Sequence, residues 1–285
     1  MKLQLENIGI VKKAKIKFNG LTVIAGENDT GKSTVAKVLF SEIRQYKKNQ
    51  SKSRRSGIKF ETENVNFPIF IDTPDFLSKF NYLKNTLLLL KQNELNFTAP
   101  IEVTDLILRI SQPKILNRSN KYFKNIKKII NGEVFYDSSK DDIFYKKEGL
   151  SNKLEMAQTS SGIKMFGFFQ ILILNQTLTE GSVLILDEPE VHLHPKWQLE
   201  YAKFIVSLVK GNIIVLVNSH SPYMIEALKR YGTEAEIHQD FYLATKEGKQ
   251  STIKDVTTNI SPIFDQLSEP FDTFDEMDSQ VLQGG

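Results

Sequence analysis

The sequence predicts an α/β fold with a mixed sheet whose core is parallel. Short apolar runs alternate with helix-length segments along much of the chain. The runs LTVIA (21–25) and SVLILD (182–187) lack the polar alternation of a half-exposed strand, as strands covered on both faces do. The first run leads straight into a glycine-bearing turn and then an amphipathic segment. In a sheet of this kind ligands sit at the carboxyl ends of the strands.

The elements follow in order. KLQLE (2–6) and KAKIKF (13–18) alternate with period two and read as a hairpin. After LTVIA, the residues Val35, Val38, Leu39, Ile43 and Tyr46 recur at spacings of three and four, which makes a helix. That helix fades into a Lys/Ser/Arg-rich stretch, 47–56, read as an exposed loop. PIFID (68–72) is a further strand, and residues 75–130 hold two or three helices, with one near 101–112 and one near 119–130. EVFYD (133–137) and DIFYK (142–146) flank a polar turn and form a second hairpin. The helix from Ser160 is apolar on nearly every face and must be buried. Pro195 opens a helix running to about residue 210, NIIVLVN (212–218) is a buried strand, and another helix starts at Pro222. FYLAT and STIKD form a last hairpin around Glu247 and Gly248. The final thirty residues are weakly patterned. The expectation is one domain over 1–285, with a mainly helical insert at about 45–155 and an acidic tail at about 255–285.

Composition excludes several classes. With 40% hydrophobic and 25% charged residues the chain can bury a core, so disorder is not its main state. It has no cysteine, which rules out disulfides, thiolate metal sites and a cysteine nucleophile, and fits a reducing cytosol. The first eighteen residues mix charged and apolar side chains, unlike a signal peptide. The most apolar stretch, FGFFQILIL, is too short to span a bilayer, so a cytoplasmic protein with no membrane association is expected. Net charge is only +3 but unevenly spread. Seven Lys/Arg and no acid lie between Arg44 and Lys59, and six between Lys114 and Lys128; after Lys254 there are seven acids and no base. Such blocks are either solvated faces or surfaces for a polyanion and for a basic partner.

Four motifs carry chemistry. Gly26-Glu27-Asn28-Asp29-Thr30-Gly31-Lys32-Ser33, followed by Thr34, matches G-x-x-x-x-G-K-[ST] between a strand and a helix, the context of a P-loop NTPase. The two glycines let backbone N–H groups converge on phosphate oxygens, and the helix points its positive end at the same anion. Lys32 then reaches the β- and γ-phosphates of ATP, and Ser33 is a ligand for Mg²⁺. Asp187 and Glu188 end an apolar strand, at the edge where the phosphates lie. Asp187 is the second Mg²⁺ residue, and Glu188 orients or activates the attacking water. Ser160, Ser161 and Gly162 precede the buried helix, as a second anion site or as a plain helix cap. His220, in NSHSP (218–222), follows a buried strand, either as a contact to the γ-phosphate or as a structural residue.

The order of these parts resembles the ABC-type ATPases, within them the SMC/RecF/OLD-like branch. The opening residues 1–34, LDEPEVHLHP (186–195) and NSHSP are similar to that branch, where transporters usually carry Asp-Glu-Pro-Thr. The likeness covers about 1–45 and 155–225. Two departures stand out: the signature reads Thr159-Ser160-Ser161-Gly162, with serine where many relatives have the first glycine, and Asp72 follows the strand where a Q-loop glutamine is sought. The resemblance implies an ABC-ATPase-type head that forms a head-to-tail homodimer. Each of two ATP molecules lies on one P-loop and against Ser160–Gly162 of the other copy. His192 and His194 fall where the dimer interface runs; a His-x-His metal pair is the competing reading, without an evident third ligand. No nuclease is expected on this chain, because the acids at 271–278 do not follow buried strands, and no long heptad arms are present. A nearly bare head of this kind is similar to ATPase subunits of prokaryotic antiphage systems such as Septu. That likeness implies a separately encoded effector, a nuclease or toxin. The alternative is a stand-alone DNA-repair ATPase that binds DNA in its ATP state. A transporter subunit fits poorly.

Overall fold

A computed structural model describes residues 1–49, 55–63, 65–93, 99–111 and 118–268. The described residues hold a nine-stranded mixed sheet and a separate three-stranded sheet. The strands of the large sheet are β1 (Lys2–Ile8), β2 (Val11–Lys17), β3 (Leu21–Ala25), β4 (Ile58–Glu61), β5 (Pro68–Ile71), β9 (Val183–Asp187), β10 (Ile214–Ser219), β11 (Gln239–Glu247) and β12 (Gln250–Asp255). Their spatial order is β4-β1-β2-β12-β11-β3-β10-β9-β5. β11, β3, β10, β9 and β5 run parallel to one another. β1, β2 and β4 are antiparallel neighbours, and the β11–β12 hairpin joins the two halves by pairing parallel to β3 on one side and to β2 on the other.

The apolar runs are strands because both faces of the parallel core are covered. Successive residues feed two separate clusters. Leu21, Val23, Ala25, Leu184, Leu186, Val215 and Val217 pack on one side, and Ile24, Val183, Ile185 and Leu216 on the other. Helix α1 (Lys32–Asn49) covers the second side with Val35, Leu39, Phe40 and Ile43. Helices α5 (Ser161–Leu174), α6 (Pro195–Lys210) and α7 (Pro222–Glu234) cover the first. In α5 even Gln170 is buried; its amide bonds the backbone of Gly132 and Val134.

Between β5 and α5 lie α2 (Phe80–Gln92), α3 (Ile101–Ser111), α4 (Lys121–Ile129) and the three-stranded sheet β6 (Gly132–Asp137), β7 (Asp142–Lys147) and β8 (Leu154–Glu155). β4 pairs with the edge of β1 and has no counterpart in the sequence reading. α1 runs to Asn49, further into the basic stretch than the periodicity suggests. Residues 261–268 are helical, with Ile263 buried in the first cluster, although the sequence is only weakly patterned there. The acids at 271–278, Arg54 and Lys114 lie outside the described residues. No helix among the described residues is long and apolar enough to cross a membrane.

Candidate functional site

The parallel strands all end at one edge, and β3, β9 and β10 deliver the chemistry there. The turn 26–31 leaves β3 in a path open only to glycine at two points. Gly26 has φ +148, and a Cβ there would stand 2.4 Å from the Ala244 carbonyl oxygen of β11. Gly31 has φ +87, and its Cβ would stand 2.5 Å from Val11 Cγ2 of β2. Thr30 Oγ1 donates to the Glu27 carbonyl at 2.7 Å and tightens the turn. Glu27, Asn28 and Asp29 are exposed, and Asp29 pairs with Lys246 at 2.8 Å, which lowers its carboxyl pKa. Ser33 is exposed on the first turn of α1, and Thr34 half-buried.

Lys32 folds back into this loop. Its Nζ donates to the carbonyls of Gly26 at 2.8 Å and Glu27 at 2.7 Å, and lies 3.5 Å from Glu188 Oε1. The side chain is only 3% exposed. Burial pushes the ammonium pKa down, with Glu188 the main opposing influence.

Asp187 closes β9 and is buried; its Oδ1 accepts from Asn218 Nδ2 at 2.7 Å, across the register pair Asp187–Asn218. Glu188 leaves the strand in a left-handed conformation, φ +52, and its N–H donates to the Asn218 carbonyl at 2.9 Å. A non-glycine residue held this way costs on the order of 1–3 kcal/mol, which marks the turn as a place where geometry is imposed. His220 Nδ1 stands 3.5 Å from Glu188 Oε1. Lys32, Glu188 and His220 thus converge from α1, β9 and β10. The imidazole is 39% exposed, and its Nδ1 face is the buried part.

Ser160 is the N-cap of α5, its Oγ accepting from the Ile163 N–H at 3.5 Å, and Ser161 is the first helical residue. Gly162 is buried against Trp197 of α6, where a Cβ would stand 2.8 Å from Cδ2. Among the described residues no hydrogen bond or ion pair joins Ser160, Ser161 or Gly162 to the turn 26–33. His194 caps α6 through Nδ1, which accepts from the Lys196 N–H at 3.3 Å. Asp72 follows β5, whose Ile71 is in register with Leu186, so it extends the same edge beside Asp187. Among the described residues no group of three or more His, Asp or Glu has metal-holding geometry by itself.

Sequence reasoning gave no role to Glu190 and Asn218. Asn218 was visible only as part of NSHSP, and Glu190 as one acid in a loop. The fold turns both inward. Glu190 is 4% exposed, and its Oε1 accepts from Ser219 Oγ at 2.6 Å, His220 N–H at 2.9 Å and Ser221 N–H at 3.2 Å.

The family model described as "AAA domain, putative AbiEii toxin, Type IV TA system" (AAA_21) matches residues 67–226, more than half of the chain. The chain belongs to the AAA_21 family. The AAA_21 span contains Asp187, Glu188, Glu190 and His220, and the glycine turn 26–33 precedes it. The Septu protein PtuA of Bacillus thuringiensis is 26% identical over 221 residues, covering 70% of this chain and 51% of that protein. The chain therefore spans about half the length of this curated relative. Among solved structures, an SMC head bound to the C-winged helix domain of ScpA superposes with a TM-score of 0.56 at 14% identity, over 91% of this chain and 98% of that one. An SMC head with an extended coiled coil, bound to the C-terminal domain of ScpA and derived from Pyrococcus furiosus, gives 0.51 at 13% identity, over 97% and 98%. The AAA_21 chain has the P-loop NTPase fold of an ABC-type ATPase head, and it is similar to the Septu protein PtuA.

Proposed function

We propose that this chain binds and hydrolyses MgATP between two copies of itself, and that the cycle controls a separately encoded nuclease or toxin in prokaryotic antiphage defence. The observation that carries the ATPase part is the convergence of Lys32, Glu188 and His220 beside a turn that only glycine can follow. The likeness to PtuA supports the defence setting.

The residues fit the substrate. Lys32 Nζ, now on two carbonyls and near Glu188, exchanges them for phosphate oxygens, and the N-terminus of α1 faces the same anion. Ser33 and Asp187 supply the hard oxygen donors that suit Mg²⁺, which when bound neutralises phosphate charge. Glu188 takes the proton of the water that attacks the γ-phosphorus, as the bond to the ADP oxygen breaks. His220, beside Glu188, contacts the γ-phosphate. Ser160, Ser161 and Gly162 serve the partner copy's nucleotide, since they make no bond to their own chain's turn. ATP then holds the two copies together, and its cleavage loosens them.

The test is turnover and assembly together. Phosphate release should require Mg²⁺, and Glu188→Gln should sediment as a dimer only with MgATP. A monomer at every nucleotide condition removes the sandwich; no phosphate release from the wild-type chain or from its complex with a copurified effector removes the enzyme.

A second reading, DNA binding in the ATP state, is favoured by one feature. Lys127 of α4 lines one groove with Lys146 and Lys147 of β7, and Lys121, Lys124 and Lys128 are exposed on the same helix. Affinity for duplex DNA should fall steeply with salt, and reversing Lys146 and Lys147 to glutamate should weaken it. Unchanged affinity in that variant rejects the surface.

A further inference from the structure

Glu190 is the most deeply placed acid at the sheet edge, and hydrolysis as described above makes no use of it. All three donors to its Oε1 come from the one turn, Ser219 to Ser221, that connects β10 to α7 and carries His220. The backbone N–H of His220 is among them. The carboxylate therefore fixes where the His220 main chain sits, and its Oε1 also lies 3.6 Å from His220 Nδ1. A second tie runs beside it: Ser221 Oγ donates to Gln198 Oε1 at 2.6 Å, and Gln198 Nε2 donates to the Leu193 carbonyl at 3.0 Å. The 188–194 loop and the 219–221 turn are thereby clamped together, and Glu188 and His220 ride on the two jaws.

A surface acid would need none of this. Burial pushes the Glu190 carboxyl pKa up, and the Ser219 hydroxyl and the His220 N–H pull it back. Among the described residues its Oε2 is buried without a partner, so the hydrogen bonds the carboxylate accepts from Ser219, His220 and Ser221 all fall on Oε1. An acceptor placed under three converging donors is costly to remove: the Ser219 hydroxyl and the His220 N–H then lose their acceptor, while the Ser221 N–H keeps Ser219 Oγ at 3.1 Å.

We infer that Glu190 is the positioning residue that sets His220 against Glu188. This rests on the ATPase reading for its consequence but not for its geometry. Ring ¹⁵N resonances of His220, identified by their loss in His220→Asn, report the geometry in the nucleotide-free protein. Glu190→Ala should displace them and leave those of His238, at the opposite sheet edge, in place. Glu190→Gln, which keeps an acceptor of the same reach, should restore them. In turnover, Glu190→Ala should lower kcat at least ~10-fold with KM within about twofold. Glu190→Gln should recover most of it, and Glu190→Ala should cost nothing further in a His220→Ala background. Ser219→Ala deletes a single donor and should give a smaller loss of the same kind, which keeps the test open if Glu190→Ala does not fold.

Undisplaced His220 resonances in Glu190→Ala, or in Ser219→Ala where the former does not fold, overturn the inference. So do Glu190 and His220 effects that multiply. Displaced resonances in a chain that hydrolyses no ATP overturn the proposed function instead and leave Glu190 as the positioner of His220.

Discussion

Lys32 Nζ and Glu188 Oε1 stand 3.5 Å apart, one from the first turn of α1 and the other from the residue beyond β9. The pair closes the gap between two strands that are not neighbours, since β10 lies between β3 and β9. Under the proposed function, a triphosphate in the turn would draw the ammonium away from the carboxylate and leave Glu188 free to face water, so that ligand binding and release of the base would be one movement.

Lys32→Ala should lower ATP affinity at least ~100-fold, about 3 kcal/mol, because it removes a charge-assisted contact to phosphate. Calorimetric titration checks this. A dissociation constant equal to that of the wild type would exclude the turn 26–33 as the phosphate cradle.

Glu188→Gln should retain ATP affinity within about twofold and slow kcat by roughly 100-fold or more, the range for removing a general base. Single-turnover phosphate release separates the chemical step from dissociation. A normal single-turnover rate assigns the base to another group.

Gly162→Ala places a methyl group 2.8 Å from the Trp197 ring. Overpacking of this kind costs about 1–3 kcal/mol, so the thermal midpoint should fall by a few degrees. Trp197 is the chain's single tryptophan, so its near-ultraviolet circular dichroism reports the same change directly. ATP affinity at dilutions where copies are separate should stay as it was, because Gly162 does not touch the turn 26–33. A midpoint equal to wild type means that α5 and α6 can part at no cost.

The Tyr242 hydroxyl accepts from the Lys17 N–H at 3.0 Å, and burial pushes its pKa up to about 12. An unfolded tyrosine ionises near 10. Between those values the unfolded chain binds fewer protons than the folded one, so stability is full below about pH 10 and falls towards pH 12. Tyr242→Phe lacks this share. Its deficit against the wild type should narrow across that window, as denaturant titrations at several pH values will show. A constant difference contradicts the shifted hydroxyl.

The fold was legible where one residue pattern had one structural meaning. LTVIA and SVLILD are strands because nothing polar interrupts them, and the buried α5 follows from FGFFQILIL, which offers no face to water. β4 was missed because IKFE is four residues long and stands at an edge, where pairing with β1 and not sequence decides the conformation. The strand order was beyond reach for a similar reason. Periodicity locates an element, but the parallel pairing of β12 with β2 joins residues far apart in the chain. At the site, residues 26–34, Asp187, Glu188 and His220 stood out because their spacing has a chemical reading. Glu190 did not, because a glutamate after a proline reads as solvated until the turn above it is seen to close over the carboxylate.

The intercalated hairpin carries a consequence for biosynthesis. The floor beneath Gly26 is the Ala244 carbonyl, and beside Gly31 the hydroxyl of Ser251 stands 3.2 Å from the place of a Cβ. A ribosome therefore releases the glycine turn 26–31 more than two hundred residues before the wall against which it rests. Until β11 and β12 emerge, the nascent chain has the motif without the cradle, so stalled or shortened products should be unable to sequester cellular ATP.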